Sequence, residues 1–517
     1  MTAYEPADPR DAAFAIAHDP GRHGARVGTA SVAVLGLSAV KTLLLFGGIM
    51  ITARLIPPAE FSVFALAMAA LMIALKLSNF GLPQAILQRP DMTHGAATAI
   101  FWTNVGFAGL GAVLVAGLGP PAAVLFGDPR VAPVFAALAL NVVLAAFIGQ
   151  FGAVLQRRLE TARLARHETM AEALGLGAAI AAALAGWSYW ALVLQQVVMS
   201  LVLVGLTARS AGWRPSPPWR ADFRDVRATL GFGGALAGAA LAQRLTLDMG
   251  TLIAGARLGD MATGLFQRAA RIGSLPAERV TVPLAATFTW SLARLQDAPT
   301  DFRQSYVRLA SRTALVMFPI GVLMAVASAP LTAVLLGPGW AGAAPLLMLF
   351  SLMVLQAGIF DGLRALLIST GRTDVLLVHG LLRLAFVTAA LLLASGAGLV
   401  PMAAAFMAVD LLVALPLALA LTLRATPLYL RDVVRALGPA LLVALALAAV
   451  LMLLVAPDLA PLPALAEVAV LGALTLAGFS AFAASSAALR HDLARVGALV
   501  VAQLRRGRTA ARQGDFS

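Results

Sequence analysis

Residues 241–255 read LAQRLTLDMGTLIAG, an almost uninterrupted apolar run in which Arg244 and Asp248 stand four residues apart. A run of this kind is typical of a helix that crosses a membrane, where charged side chains are rare because they are costly. What the two charges do there depends on the class of the whole chain.

The composition indicates an integral membrane protein with many spans. The 517 residues are 60% hydrophobic and 12% charged, with a mean hydropathy of +0.87, whereas soluble domains carry about 25% charged residues. The chain has no cysteine, which excludes disulfides, thiolate metal sites and cysteine nucleophiles. No cofactor and no metal site is predicted.

Runs of apolar residues predict an all-α polytopic fold with about fourteen transmembrane helices. The least apolar of them is span 8, which contains several charged residues. The predicted spans lie near 31–53, 61–80, 95–118, 131–151, 169–186, 190–208, 228–254, 262–290, 313–336, 343–368, 374–395, 399–423, 436–456 and 464–486.

Lys and Arg divide unevenly between the two sides of this topology when both termini are placed in the cytoplasm. Of the 38 basic residues, 27 fall on the cytoplasmic side, 3 fall outside and 8 lie within spans. The positive-inside rule expects this asymmetry. It also accounts for the net charge of +13, which then faces anionic lipid and gives no indication of nucleic-acid binding.

A short internal repeat divides the chain into two halves. Ala-Arg-Leu at 53–55 recurs at 256–258, in each case after one apolar helix and before the next. Such repeats are common in transporters, whose sites lie where the repeats meet. We therefore expect two six-helix halves around a central cavity, followed by two extra helices. The predicted segments are a cytoplasmic tail at 1–30, spans 1–6 at 31–208, a cytoplasmic linker at 209–227, spans 7–12 at 228–423, spans 13–14 at 424–486, and a second cytoplasmic tail at 487–517.

Six segments in chain order resemble those of bacterial polysaccharide flippases, the O-antigen and exopolysaccharide branch of the multidrug/oligosaccharidyl-lipid/polysaccharide exporter superfamily. Phe266 stands where that family usually has Tyr, and Ser62 where it usually has Gly. The segments are ARLIPPAEFSVFALA (53–67), SNFGLPQAILQRPDMT (78–93), FGAVLQRRLETARLARHE (151–168), GWSYWALVLQQVV (186–198), LDMGTLIAGARLGDMATGLFQRAARIGSLP (247–276) and LLGPGWAGAAPLLMLFSL (335–352).

This resemblance implies a transporter for lipopolysaccharide or exopolysaccharide biosynthesis in the bacterial cytoplasmic membrane. Its substrate would be an undecaprenyl-pyrophosphate-linked oligosaccharide, flipped from the inner to the outer leaflet. Its partners would be that lipid-linked oligosaccharide, membrane lipids, and a polysaccharide polymerase with its chain-length regulator.

Charged residues inside the spans are the candidates for substrate binding. At 1.5 Å per residue, Arg244 and Asp248 lie about 24 and 30 Å along span 7, and Arg268 and Arg271 about 9 and 14 Å into span 8 from outside. Guanidinium groups suit a pyrophosphate because they donate several hydrogen bonds at once. The predicted cavity residues are Lys41, Arg244, Asp248, Arg268, Arg271 and Arg279.

A structural interpretation stands beside this one. Arg244 and Asp248 share a helix face and also suit an ion pair that fixes span 7 to span 8. Arg383 and Asp410 reach similar depths in spans 11 and 12, and Asp361 and Arg364 are three residues apart in span 10. These four are expected to form structural or ion-coupling pairs.

The alternatives within the superfamily are a multidrug cation antiporter and a lipid II flippase. An antiporter for cations calls for acidic residues in its cavity, whereas here basic residues outnumber acidic ones within the spans. A membrane glycosyltransferase or polymerase needs large loops with acidic catalysts, which the short predicted loops do not offer. The chain has no GxxxxGK[ST], HExxH or GxSxG motif, so we expect neither an ATP-driven pump nor an enzyme.

Overall fold

The computed structural model describes residues 11, 14, 20–79, 82–88, 92–221, 223, 234–281, 288–289, 291–295, 298–455 and 463–485. The predicted tail at 487–517 lies outside these residues, as do most of 1–19 and parts of the predicted linker and of spans 7 and 8. Within the described residues the fold is helical and contains no β-strand.

The described chain forms eighteen α-helices. The first seven are α1 (Pro20–Leu55), α2 (Pro58–Asn79), α3 (Leu82–Gln88), α4 (His94–Phe126), α5 (Val131–Arg157), α6 (Thr161–Leu184) and α7 (Tyr189–Ala211). The others are α8 (Gly234–Leu258), α9 (Asp260–Pro276), α10 (Pro299–Val326), α11 (Ser328–Leu335), α12 (Ala344–Phe350), α13 (Leu352–Ser369), α14 (Thr373–Ala394), α15 (Leu399–Val409), α16 (Leu415–Ala425), α17 (Leu430–Val455) and α18 (Ala464–Ser485). Two π-helical turns occur, Ala277–Thr281 after α9 and Asp410–Ala414 between α15 and α16.

Ten helical segments of the described chain are long and apolar enough to cross a membrane. They correspond to predicted spans 1–4, 6 and 9–13, and α18 contains a shorter apolar helix at predicted span 14. Helices α6, α8 and α9, at predicted spans 5, 7 and 8, are not among the ten and carry charged residues. Apolarity alone therefore supports ten spans of the fourteen predicted. Large exposed side chains such as Leu110, Leu393 and Leu453 are 70%, 85% and 77% exposed, as lipid-facing residues are.

The segment predicted as a cytoplasmic tail over 1–30 is helical from Pro20 onward. Helix α1 begins at Pro20, where proline suits the first turn because its missing N–H has no helical partner there. Asp11 and Phe14 are buried, at 6% and 2% exposure.

The described chain divides into two compact units. The first contains the described residues of Met1–Leu55 and Ala70–Ala237. In it α4 packs on α5, α5 and α6 pack on α7, and α1 packs on α6. Gly48 lies against Leu176 where α1 meets α6.

The second unit contains Ile56–Ala69 and the described residues of Gly238–Ala487. Here α10 packs on α13 and α17, α14 on α15, and α9 on α12. The beginning of α2 thus belongs to this unit although the helix continues into the other. The reason is local: Ser62 Oγ donates to Asp260 Oδ1 at 2.9 Å, and Gly264 lies against the backbone of Pro58.

The repeated Ala-Arg-Leu segment occupies the same structural position in both places. Leu55 ends α1 and Leu258 ends α8, and α2 and α9 then begin at Pro58 and Asp260. Gly259 has φ +83°, a left-handed conformation that favours glycine and allows the tight turn into α9.

Gly264→Ala is expected to destabilise the second unit because a Cβ at this position would overlap the carbonyl oxygen of Pro58. Overpacking of this kind costs about 1–3 kcal/mol. The matched control is Gly438→Ala in α17, whose Cβ would meet nothing within 4 Å. We expect a lower Tm in detergent for Gly264→Ala only. Equal Tm values for both variants would contradict the described packing of α2 against α9.

Candidate functional site

Arg244 and Asp248 form a bidentate ion pair on one face of α8. Arg244 Nε lies 2.6 Å from Asp248 Oδ2, and Nη2 lies 2.5 Å from Oδ1. The Asp248 side chain is only 8% exposed, whereas that of Arg244 is 27% exposed. The Nε–Nη2 edge of the guanidinium is fully engaged by the carboxylate, and the rest of the arginine side chain remains partly accessible.

Arg268 is enclosed by aromatic rings. Its guanidinium carbon lies 4.2 Å from the ring centre of Phe61 and 5.6 Å from that of Trp340, and the residue is 7% exposed. Phe61 and Trp340 also pack edge-on, at 5.8 Å. Cation–π contacts of this kind stabilise a dehydrated guanidinium. This position favours a structural role for Arg268, joining the start of α2, α9 and the 3-10 turn Pro338–Ala343.

Arg271 and Arg279 flank the π-helical turn after α9. Arg271 Nη1 lies 2.5 and 2.7 Å from the two oxygens of Glu278, and Ser274 Oγ donates to the same carboxylate at 3.2 Å. Both members of this pair are exposed to a similar extent, 38% and 43%. Arg279 is exposed and has no hydrogen bond or ion pair with the residues that the structure describes. Among the described residues, no carboxylate forms an ion pair with Arg279.

Asp361 and Arg364 on α13 attract each other electrostatically, and each also has a hydrogen-bond partner on another element. Asp361 accepts a short hydrogen bond from Thr281 Oγ1 of the π-helical turn. Arg364 Nη1 donates to Gln243 Oε1 of α8 at 3.3 Å. Gln243 is neutral, so the negative charge that Arg364 attracts is that of Asp361. These contacts bring α8, the π-helical turn and α13 together.

Arg383 and Asp410 form the most deeply buried ion pair of the described chain. Arg383 Nε and Nη2 lie 2.5 and 2.8 Å from the two oxygens of Asp410, with 9% and 0% of the side chains exposed. Asp410 begins the second π-helical turn, whose first and last carbonyls accept hydrogen bonds from Gln356 and His379. Arg383, Gln356 and His379 thus add side-chain hydrogen bonds to an irregular turn.

Lys41 lies in the first unit and is paired. Its Nζ lies 2.7 Å from Glu168 Oε2, which joins α1 to α6, and the two side chains are 24% and 38% exposed. Lys41 was predicted to face the cavity because no acidic residue lies near it in sequence. Glu168 is 127 residues away, so only the fold brings the two together.

Five of the ten candidates are held by partners that the sequence did not predict: Glu168, Glu278, Gln243, Thr281, Phe61 and Trp340. Only the Arg244–Asp248 and Arg383–Asp410 pairs could be read from spacing and depth. Within the described residues, no group of three His, Asp or Glu side chains is arranged to hold a metal ion.

We use the name polar strip for the charged side chains of α8, α9, the π-helical turn after it and α13: Arg244, Arg271, Arg279 and Arg364 with Asp248, Glu278 and Asp361. Residues 51–345, more than half of the chain, match the family described as "Polysaccharide biosynthesis protein". The chain belongs to this family. The match ends before Arg364, so it covers three of the four arginines of the strip.

Two relatives with assigned names support the same family. The chain is 24% identical over 350 residues to the lipopolysaccharide biosynthesis protein WzxC of Escherichia coli K12, which covers 67% of this chain and 69% of the relative. It is 25% identical over 308 residues to the succinoglycan biosynthesis transport protein ExoT of Rhizobium meliloti, which covers 59% of this chain and 62% of the relative.

The fold is that of a known solved structure, the lipid II flippase MurJ in an inward closed conformation. The superposition has a TM-score of 0.66 and covers 87% of this chain and 99% of MurJ. Sequence identity is only 10%, so the likeness concerns the fold. It confirms the predicted all-α, multi-span architecture.

Arg383→Ala is expected to destabilise the protein strongly because it leaves the Asp410 carboxylate buried without its cation. Removing one partner of a buried pair costs about 3–5 kcal/mol. The double variant Arg383→Met with Asp410→Leu restores an apolar interior and should recover most of the Tm lost by Arg383→Ala.

The matched control is Arg372→Ala, which removes an ion pair with Asp374 whose side chains are 45% and 65% exposed. Its Tm should change little because solvent screens an exposed pair. If Arg383→Ala lowered the Tm no more than this control, the buried pair would not stabilise the fold.

Proposed function

We propose that the protein is a flippase for lipid-linked oligosaccharide in bacterial polysaccharide biosynthesis. It moves an undecaprenyl-pyrophosphate-linked oligosaccharide from the inner to the outer leaflet of the cytoplasmic membrane by alternating access, with both termini in the cytoplasm. The family membership, the transport protein among the relatives and the fold shared with a lipid II flippase support this proposal.

The observation that carries the proposal is the polar strip of the second unit. Two of its arginines, Arg244 and Arg271, already make two hydrogen bonds each to a carboxylate. A phosphate offers a guanidinium the same two-oxygen geometry as a carboxylate. These two guanidinium groups are thus oriented in a way that suits a pyrophosphate. The pyrophosphate either replaces the carboxylate or binds to the arginine together with the carboxylate.

Arg279 and Arg364 supply the net attraction for the anion. Neither forms an ion pair within 4 Å of a carboxylate among the described residues: Arg364 donates to an amide and attracts Asp361 from farther away, and Arg279 is exposed. An anion that reaches the strip gains their charge without first breaking an ion pair. We therefore assign first contact to Arg279 and Arg364 and tighter binding to Arg244 and Arg271.

The remaining candidates have other roles in this proposal. Arg268 fixes the aromatic cluster with Phe61 and Trp340, and Arg383 with Asp410 fixes the second π-helical turn. Lys41 is held by Glu168 in the first unit. The membrane potential favours outward movement of an anion by about 2.3 kcal/mol per charge per 100 mV, which supplies a direction without ATP.

The proposed partners are the polymerase and chain-length regulator that consume the flipped oligosaccharide. A cation antiporter is disfavoured because the described carboxylates of the strip are engaged by Arg244, Arg271 and Thr281. Carboxylates in that state do not offer a free anionic site to a cationic drug.

The test is a deletion strain complemented with single variants, in which undecaprenyl-linked intermediates are measured by mass spectrometry. A membrane-impermeant label applied from the periplasm reports the leaflet. We expect full-length linked oligosaccharide to accumulate in the inner leaflet in the deletion strain. Arg279→Ala and Arg364→Ala should reduce labelling at least about tenfold at equal expression, since a charged contact contributes about 1.5–3 kcal/mol.

Arg130→Ala serves as the control because Arg130 pairs with Asp128 in the turn between α4 and α5. This turn belongs to the first unit, whereas the residues of the polar strip belong to the second. It should retain normal labelling.

Truncated oligosaccharide in the deletion strain would indicate a missing transferase instead. Unchanged intermediates in that strain would refute the flippase proposal, and normal labelling in both strip variants would refute the assignment of the strip.

A further inference from the structure

Helices α6 and α7 of the first unit form a closely packed antiparallel pair. Gly175 of α6 lies against the backbone of α7, where a Cβ would come within 2.9 Å of the carbonyl oxygen of Gln195. At the other end of the pair, Nε2 of His167 lies 3.3 Å from Oγ of Ser210. His167 and Ser210 therefore mark where the two helices face each other.

One side of this pair is covered by the rest of the first unit. Glu168, the residue after His167, pairs with Lys41 of α1 at 2.7 Å. Ala211, the residue after Ser210, is 0% exposed within a buried aromatic cluster. Two antiparallel helices are related by a two-fold axis between them, so residues that follow the facing positions lie on one side and residues that precede them lie on the other.

The opposite side begins with two exposed arginines. Arg166 and Arg209 precede the two facing residues, and successive residues of a helix are about 100° apart, which places both arginines on the uncovered side. Within the described part of the chain, no carboxylate forms an ion pair with either of them, whereas Arg163 is paired with Glu160 at 3.0 Å. Two cations that are not neutralised thus lie together at this end of the pair.

An apolar surface extends from these arginines along the same side. Met170 and Leu174 follow Arg166 at intervals of four residues, so all three share one helix face, and the two apolar side chains are 51% and 53% exposed. On α7, Gly205 is exposed four residues before Arg209, and a Cβ there would meet nothing within 4 Å. We call these five residues the α6–α7 surface.

The α6–α7 surface has the chemistry of a site for an anionic amphiphile. Guanidinium groups bind phosphate oxygens through several hydrogen bonds at once. Leu174 lies about 12 Å along the helix from Arg166, which is within the reach of an acyl chain attached to that phosphate. This end of the pair is also the one predicted to face the cytoplasm, where basic sites between helices bind the headgroups of anionic lipids.

We propose that the α6–α7 surface binds one anionic phospholipid of the bilayer. Arg166 and Arg209 hold its phosphate, and one acyl chain lies along Met170 and Leu174 and over Gly205. A membrane phospholipid suits this surface because two cations match one phosphate and the apolar part is open along its length. The proposal concerns the first unit alone and does not rest on the proposed function.

The cysteine-free chain allows a direct test with a single fluorescent label at Leu174→Cys. The purified full chain is placed in phosphatidylcholine nanodiscs that contain phosphatidylglycerol brominated in the middle of one acyl chain, and quenching is titrated against the fraction of brominated lipid. The apparent affinity should exceed that for equally brominated phosphatidylcholine at least about tenfold, since each arginine near an anionic headgroup contributes about a fivefold change. Arg166→Gln with Arg209→Gln should remove this preference.

Two controls separate a specific site from general contact with lipid. Arg424→Gln removes an exposed arginine from the last turn of α16 and should leave quenching at position 174 unchanged. A second reporter, Leu453→Cys, lies on α17 where the native side chain is 77% exposed, and both brominated lipids should quench it equally. Both arginines are exposed, so the double variant should keep the Tm of the unmodified chain.

Three results would overturn the proposal. Equal quenching by the two brominated lipids at position 174 would mean that the arginines do not select a headgroup. A preference for phosphatidylglycerol that persists in the double variant would place the headgroup elsewhere. Displacement of brominated phosphatidylglycerol by an equal amount of undecaprenyl pyrophosphate would assign the surface to a polyprenyl lipid instead of a phospholipid.

Discussion

Ionised side chains within an apolar, membrane-spanning fold must find a partner, and this constraint organises the second unit. Arg244 with Asp248, Arg271 with Glu278 and Arg383 with Asp410 each place two guanidinium hydrogen bonds on a carboxylate. Arg268 meets the same constraint with aromatic rings. Of the three pairs, Arg383 with Asp410 also joins separate elements, α14 and the second π-helical turn.

The degree of burial separates structural pairs from those suited to exchange. Arg383 and Asp410 are sealed from solvent and anchor a π-helical turn, so an incoming anion has no access to them. The side chains of Arg244 and Arg271 are 27% and 38% exposed, and both residues lie in the same unit as Arg279 and Arg364. A site for a pyrophosphate needs this second kind of pair, because its arginines are preorganised and still reachable.

Sequence patterns predicted the helical membrane fold and the family, because length, apolarity and ordered motifs are local properties. The repeated Ala-Arg-Leu segment also marked equivalent helix ends at Leu55 and Leu258. Pairs four residues apart, such as Arg244 and Asp248, follow from helix geometry. The partners of Lys41, Arg268 and Arg364 could not be predicted, since Glu168, Trp340 and Gln243 lie 72 to 127 residues away and only tertiary packing brings them close. The burial of Asp11 and Phe14 was not predicted either, since their contacts with His94, Arg157 and Trp213 also depend on tertiary packing.

The central claim is that a carboxylate of the polar strip holds its arginine ready for a phosphate group. The most direct measurement is the affinity of the purified protein in nanodiscs for undecaprenyl pyrophosphate, compared among the unmodified chain, Arg244→Ala and Asp248→Asn. The account predicts weaker binding for Arg244→Ala and tighter binding for Asp248→Asn, because the amide releases the guanidinium without replacing its charge. Equal affinities in all three proteins, with lower stability in both variants, would contradict it and leave the pair a purely structural contact.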